Sequence, residues 1–429
     1  MGEDNSAQQT QNPLNQLVIE IPANLETTFS DDVCVYRVPP TLRKINEAAY
    51  TPQVVSIGPI HHHKPDLKPM EIQKLRYLKE FCKRQTTKTQ RDFSIDLINT
   101  VSEKDFRGFY DDSSEICSTE LINMILLDSV FILELFLRNH KAENYAKDFI
   151  IGKPWLRTDV QQDLVLLENQ LPFSFLEKIY DFARQKFVEK DYPSFLDLTC
   201  RYFSIYKPRK IELIPNPVDK KPLHFTDLVR YFWSFGHPPM KPKSIGNLRS
   251  ITKLHQAGLK LKPAPNECFL KVKFEKGITC LWRAELQIPC FEIDDTTEFV
   301  VRNLMALEQC HYPYETYICN YIRLWDFLID TAEDVDLFVG KKIIVNGLGN
   351  SAAVANLVNN LCNQIAECHS CYYSLSEQLN GYYENCCNHT MATLRSIYFG
   401  DLWRGTGTVA AVLLLALTLI QAICSVLAL

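Results

Sequence analysis

The stretch from Val409 to Leu429, VAAVLLLALTLIQAICSVLAL, holds twenty-one residues without one charged side chain, and no other feature constrains the chain as strongly. At 1.5 Å rise per residue a helix of that length spans roughly 30 Å, the thickness of a bilayer's hydrocarbon core. Thr418, Gln421 and Ser425 interrupt it mildly, because a hydroxyl can bond back to its own helix and an amide can meet a partner helix. A C-terminal transmembrane helix is therefore expected. A second apolar run, Leu121 to Leu137 (LINMILLDSVFILELFL), is read differently. Asp128 and Glu134 would each cost about 2.5–3.5 kcal/mol near a bilayer centre, and the run is short, so it reads as a buried core helix.

Arg395 and Arg404 precede the anchor and no charge follows it, which by the positive-inside rule predicts a cytosolic body. The N-terminal MGEDNSAQQTQNP has neither a positive n-region nor an apolar h-region, so no secretory signal is expected. The fifteen cysteines are odd in number and sit mostly in apolar runs, as small buried hydrophobes of a reducing compartment. One sequon, Asn388-His389-Thr390, points to the opposite face. The net charge of −5 comes from 46 basic and 51 acidic residues mixed along the chain, which argues against a broad basic surface for nucleic acid.

Residues 1–30 are polar and read as a disordered tail, residues 31–400 as one mainly helical domain, and 409–429 as the membrane helix. Pro39, Pro40, Pro52, Pro59, Pro65 and Pro69 keep the start of the domain extended with turns. Helical patterns follow from Met70, over Val160 to Asn169, Phe173 to Val188 and Phe225 to Phe235. Leu270, Val272 and Phe274 alternate with charged residues and predict a β-hairpin through Lys276-Gly277. Asp295 with Glu298 predicts a capping box for the next helix. Leu361, Ile365, Cys368, Tyr372, Leu375, Leu379, Tyr382 and Cys386 follow alternating four- and three-residue steps, a heptad-like seam along one helix. That seam would pack on the body or join two copies into a homodimer. The fold class is thus mainly α, with a large helical body, a small β-hairpin element and a C-terminal transmembrane helix.

Four constellations invite chemistry. His61, His62 and His63 suggest a metal, but on an extended segment at most two of them converge, so turn structure after Gly58-Pro59 is the expected role. Cys368, Cys371, Cys386, Cys387 and His389 have the composition of a zinc site, yet in one continuous helix Cys371 and Cys386 lie roughly 22 Å apart. Gly347, Gly349 and Ala352 imitate a dinucleotide fingerprint, with Glu367 some twenty residues on, without the second strand that fold requires. Glu168, in an apolar run with Asn169 and Gln170, reads as a structural hydrogen-bonding group rather than a general acid or base. No catalytic, cofactor-binding or metal-binding residue, and no cofactor, is therefore assigned.

Several ordered segments resemble one plant family, domain of unknown function 247, also called uncharacterised protein family 0481. They are Val35 to His63, LINMILLDSVFILEL at Leu121 to Leu135, LVLLENQLPF at Leu164 to Phe173, Phe291 to Cys310, DFLIDTAEDVDLF at Asp326 to Phe338, and LTLIQ at Leu417 to Gln421. The chain departs from the family pattern at His63, where a glycine is usual, and at Leu402, where a proline precedes the tryptophan. The resemblance implies no established activity, cofactor or catalytic residue. Some grass members are implicated as pollen-side determinants of self-incompatibility, which implies protein recognition at a membrane. The expected function is a membrane-anchored protein-recognition or signalling component with a protein partner and no nucleic acid. The alternative is an enzyme with an unrecognised site in the helical body.

Overall fold

The computed structural model describes residues 32–84, 106–111, 117–189, 191–208, 214–217, 220–265, 268–277, 284–385, 390 and 402–427. The expected tail, the sequon asparagine, Cys386, Cys387, His389 and Arg395 lie outside them. The proline-rich start runs extended apart from a short helix, α1 (Pro40–Arg43), and single 3-10 turns, as its prolines dictate. Two long helices follow, α2 (Lys68–Lys83) and α3 (Ser118–His140). Next come α4 (Pro154–Asp163), α5 (Phe173–Gln185), α6 (Phe195–Tyr202), α7 (Phe225–Ser234) and α8 (Ile251–Gln256).

The strands are short. β1 (Lys260–Pro263) runs parallel to β3 (Glu285–Ile288), and β2 (Lys273–Glu275) pairs antiparallel with β3, so the expected hairpin is one half of a three-stranded sheet. β4 (Phe291–Ile293) leads into α9 (Thr297–His311), α10 (Tyr317–Leu328) and α11 (Ala332–Gly340). β5 (Ile344–Asn346) then returns parallel to β4, followed by α12 (Ser351–Leu361), α13 (Tyr373–Glu384) and the apolar α14 (Leu402–Leu427).

One hydrophobic cluster extends from Cys34 to Leu379 through nearly every element. The apolar α3 is buried in it as expected, with Ile125, Phe131, Ile132 and Leu135 fully covered. The two acids that excluded α3 from a membrane are each paired. Lys74, on α2, is itself fully buried and gives its ammonium protons to Asp128 (2.5 Å), Glu71 (2.6 Å) and the Ser56 carbonyl (2.6 Å). Glu134 accepts both Arg84 (2.7 and 3.0 Å) and Arg138 (2.7 Å), and the Arg138 guanidinium lies 4.1 Å from the Tyr77 ring centroid. Charges inside an apolar body persist only when partnered and hydrogen-bonded in this way.

Three expectations are corrected. The helix of Val160 to Asn169 stops at Asp163, because Asn169 and Gln170 turn their amides back onto the Asp163, Leu164 and Leu166 carbonyls that a continuing helix would have used. The N-cap of α9 is Thr296 rather than Asp295 and makes no side-chain cap bond; Asp294 orders the turn before it, its Oδ1 accepting from the Thr296 amide and from the hydroxyls of Thr296 and Thr297, while Glu298 bonds Asn46 and Arg302. A capping box does occur, at Thr331 and Asp334.

The third correction concerns the seam, which is two helices and not one. α12 ends at Leu361 and α13 begins at Tyr373, with Gln364 at φ +62° in the break. Leu361, Tyr372, Leu375 and Leu379 are buried in the body, and Tyr372 donates to the Leu270 carbonyl at 2.5 Å. That face is occupied by its own chain. Replacing Lys74 with Met should leave Asp128 buried without its counter-ion and cost about 3–5 kcal/mol in urea unfolding, with K74M/D128N, which removes the charge but keeps an oxygen for the Gly58 amide, recovering most of it. A double variant as unstable as K74M would contradict the pairing.

Candidate functional site

The polar centre of the molecule is built from the end of α4 and the loop after it, which contains the Glu168-Asn169-Gln170 trio. Asp163 accepts three successive backbone amides, Gln53 (2.9 Å), Val54 (2.7 Å) and Val55 (2.8 Å). Asn169 accepts the Ile57 amide at 2.7 Å and donates to the Val55 carbonyl at 2.9 Å. Gln170 accepts the Phe225 amide at 2.9 Å, which fixes the start of α7. An extended segment with no strand paired to it among the described residues cannot satisfy its amides by itself, and these side chains act as its partner.

Glu168 closes the same centre. One oxygen accepts the Val38 amide at 2.7 Å, and the other takes the Arg43 guanidinium and lies 3.0 Å from His61 Nε2. Burial raises the pKa of this carboxyl, but its bonds to His61, Arg43 and Val38 outweigh that and hold it below the usual range. Burial conversely lowers the His61 pKa, against the pull of Glu168. Both Glu168 oxygens thus face groups of the scaffold, the Val38 amide on one and Arg43 with His61 on the other.

His224 extends the centre. Fully buried, it places Nε2 3.1 Å from the Cys34 carbonyl and Nδ1 3.4 Å from the Asp227 amide, so it caps α7 in its neutral form. Burial pulls its pKa from 6.5 down to about 4.

The histidine run is split by its turn. Gly58 sits at φ +72°, where a Cβ would meet the Gln170 carbonyl at 2.8 Å, so only glycine lets the turn approach the loop. His61 then points inward to Glu168, while His62 and His63 approach Glu120 at the start of α3, at 3.7 and 3.9 Å. The dinucleotide-like stretch does form a strand, turn and helix. Its glycines serve that turn: the Gly347 amide donates to the Ile293 carbonyl at 2.7 Å, a Cβ there would meet the same oxygen at 2.9 Å, and Gly349 has φ +74°. Glu367 accepts from Asn320 at 2.8 Å, far from any strand end. Of the cysteine set, Cys368 is exposed and Cys371 half-buried. The described cysteines are free thiols, and burial pushes Cys34, Cys200 and Cys362 up to about 12, which makes them inert packing groups.

A cleft of about 310 Å³ that the sequence did not announce lies between α7, β4, β5 and the start of α9. Tyr206, Trp233, Phe269 and Phe291 form aromatic walls, with Lys207, Cys290, Glu292 and Asp294 among its polar lining. Trp233 stands edge-on to Phe269 at 5.1 Å, and its indole N–H is spent on the Tyr206 carbonyl at 3.0 Å. Asp294 is committed to the turn before α9, and no histidine is among the described lining residues. The arrangement suits an apolar or aromatic group better than a nucleophile and base pair. Its walls come from four distant segments of the chain, and no local spacing in the sequence could have assembled them.

Because the folded chain keeps His224 neutral while the unfolded chain protonates it near 6.5, stability should fall as pH drops from 6.5 to 4, by on the order of 3 kcal/mol from this group. Asp163 works in the opposite sense, since burial pushes its carboxyl up to about 6 against three amide bonds. The difference between parent and H224Q isolates the histidine: denaturant unfolding across that window should show a shallower acid loss in H224Q. Equal pH slopes would contradict the buried neutral imidazole.

Comparison with known proteins gives the same answer along the whole body. A family described as a plant protein of unknown function, domain of unknown function 247, matches residues 35–417. UPF0481 protein At3g47200 of Arabidopsis thaliana is 25% identical over 94% of this chain and 88% of its own length. Putative UPF0481 protein At3g02645 of the same plant is 21% identical over 91% and 89%. No solved structure matches the chain. The chain belongs to the plant domain of unknown function 247 family.

Proposed function

We propose that the protein is a single-pass, membrane-anchored recognition or signalling component whose body faces the cytosol and binds another protein. The observation that carries this reading is the uncovered C-terminal helix. Thr406–Ser425 has a mean hydropathy of 2.3, and none of that window is buried against the body. Leu413, Leu414, Leu415, Leu417 and Ile420 stand open along it, a surface that water disfavours and a hydrocarbon core accepts. Thr418 donates back to the Leu414 carbonyl at 2.7 Å, so its hydroxyl needs no water.

Recognition rather than turnover is supported by how the buried titratable groups are used. Asp128, Glu134, Asp163, Glu168 and Glu308 hold amides or cations of the scaffold. The competing reading, an enzyme, draws on Cys290, Glu292 and Asp294 in the aromatic cleft.

Deleting Val409–Leu429 should move the protein from a carbonate-resistant membrane fraction to the soluble fraction with its body folded. Tight membrane association of that truncation would contradict the anchor. Proximity labelling from the anchored full chain should tag cytosolic proteins, and C290S/D294N should leave that set unchanged. An endoglycosidase-sensitive glycan on Asn388 would place the body on the other face, and loss of the labelled set in C290S/D294N would favour the cleft as the working site.

A further inference from the structure

We propose that His62, His63 and Glu120 form a binding site for a divalent transition-metal ion of the zinc class, with the Cys117 thiol as fourth donor. The nitrogens of His62 and His63 and a carboxylate oxygen of Glu120 all lie within 4.8 Å of one another. Within that set His62 Nε2 is 3.7 Å and His63 Nδ1 3.9 Å from the same Glu120 oxygen. A tetrahedral ion with bonds of ~2.0–2.1 Å holds its donors roughly 3.3 Å apart, so each histidine nitrogen has to approach the Glu120 oxygen by about half an ångström. Cys117 Sγ lies 4.0 Å from the other Glu120 oxygen, outside the convergent set of three, and this exposed thiol would join the ion by rotating about its own side-chain bonds.

The donors converge because the backbone turns. Adjacent residues of a strand point to opposite faces, but 61–63 lie in a turn, closed by the His62 amide on the Pro59 carbonyl (3.4 Å) and the Lys64 amide on the His61 carbonyl (3.1 Å). His61 is drawn inward, and the next two rings meet edge to face with centroids 5.2 Å apart. Both supporting elements are fixed from within. The turn is pinned by the Gly58 amide on Asp128 (2.9 Å), and α3, which carries Glu120, is pinned through the same Asp128 to Lys74. Cys117 and Glu120 stand three residues apart at the start of α3, whose first turn is closed by the Leu121 amide on the Cys117 carbonyl at 2.9 Å. A site carried on two rigid elements loses little freedom when an ion binds.

The donor chemistry selects the ion. Two imidazoles, a carboxylate and a thiol suit zinc or cobalt, whereas magnesium and calcium require shells of six or more oxygens. The His63 and Glu120 side chains are 68% and 43% exposed, so an ion can enter from solvent.

The test uses the full-length protein in detergent, stripped with chelator and titrated with zinc and then cobalt. The parent should bind zinc with a stoichiometry that falls by one equivalent in H62A/H63A, and E120Q should bind at least about tenfold more weakly. The cobalt form should show ligand-field bands of a four-coordinate ion together with a thiolate charge-transfer band, and C117S should lose only the latter. Far-UV circular dichroism of each variant should match the parent. Unchanged stoichiometry in H62A/H63A, or no zinc bound by the parent at micromolar concentration, would overturn the site. A charge-transfer band that survives in C117S would overturn the fourth donor.

Discussion

The fold depends on the way an extended, proline-rich stretch finds hydrogen-bond partners inside an apolar body. Among the described residues no strand pairs with residues 51–58, yet Val55, Ser56, Ile57 and Gly58 are buried. Their amides are taken by side chains at the end of α4 and in the loop that follows it: Asp163 for Gln53, Val54 and Val55, and Asn169 for Ile57. Asp128 on α3 takes the Gly58 amide. A hydrogen bond to a charged acceptor contributes roughly 1.5–3 kcal/mol, and leaving the amide orphaned costs about as much again. These side chains therefore do for this segment what a sheet neighbour does elsewhere.

The same device recurs wherever elements must be held at fixed angles. Glu308 on α9 accepts the Ile318 and Cys319 amides at 3.0 and 2.9 Å, which caps α10, and it pairs with the buried Arg230 of α7 at 3.0 Å. Asp334 takes the Thr252 amide at 2.9 Å and ties α11 to α8. Buried polar networks of this kind add little net stability relative to apolar packing, but they permit few alternative arrangements. A body organised in this way suits a platform that presents a defined surface, and the proposed partner-binding role rests on that rigidity.

The sequence made the helices, the long apolar C-terminal one included, legible because their signals are local. The periodicity of α2 and α5, the unbroken apolar run of α3 and the uncharged C-terminus each declare themselves within twenty or thirty residues. The structural use of Glu168, Asn169 and Gln170 was also readable, since polar groups in an apolar run must find partners. What failed was non-local. The seam from Leu361 to Tyr382 kept helical spacing across a break at Gln364, and its two halves are buried by different neighbours, α12 against α9, α10 and α11, and α13 against β2. The aromatic cleft draws Tyr206, Trp233, Phe269 and Phe291 from separate segments, and Glu120 meets His62 and His63 across 56 intervening residues. Spacing along a chain carries no signal for contacts of that kind.

Native-state hydrogen exchange at single-amide resolution tests the central claim most directly. In D163N the amides of Gln53, Val54 and Val55 should lose protection while that of Ile57, held by Asn169, changes far less. In N169L the pattern should invert. Uniform loss of protection throughout the body in both variants, or protection at residues 53–57 indifferent to either change, would contradict side chains of α4 and its loop acting as the extended segment's hydrogen-bond partner.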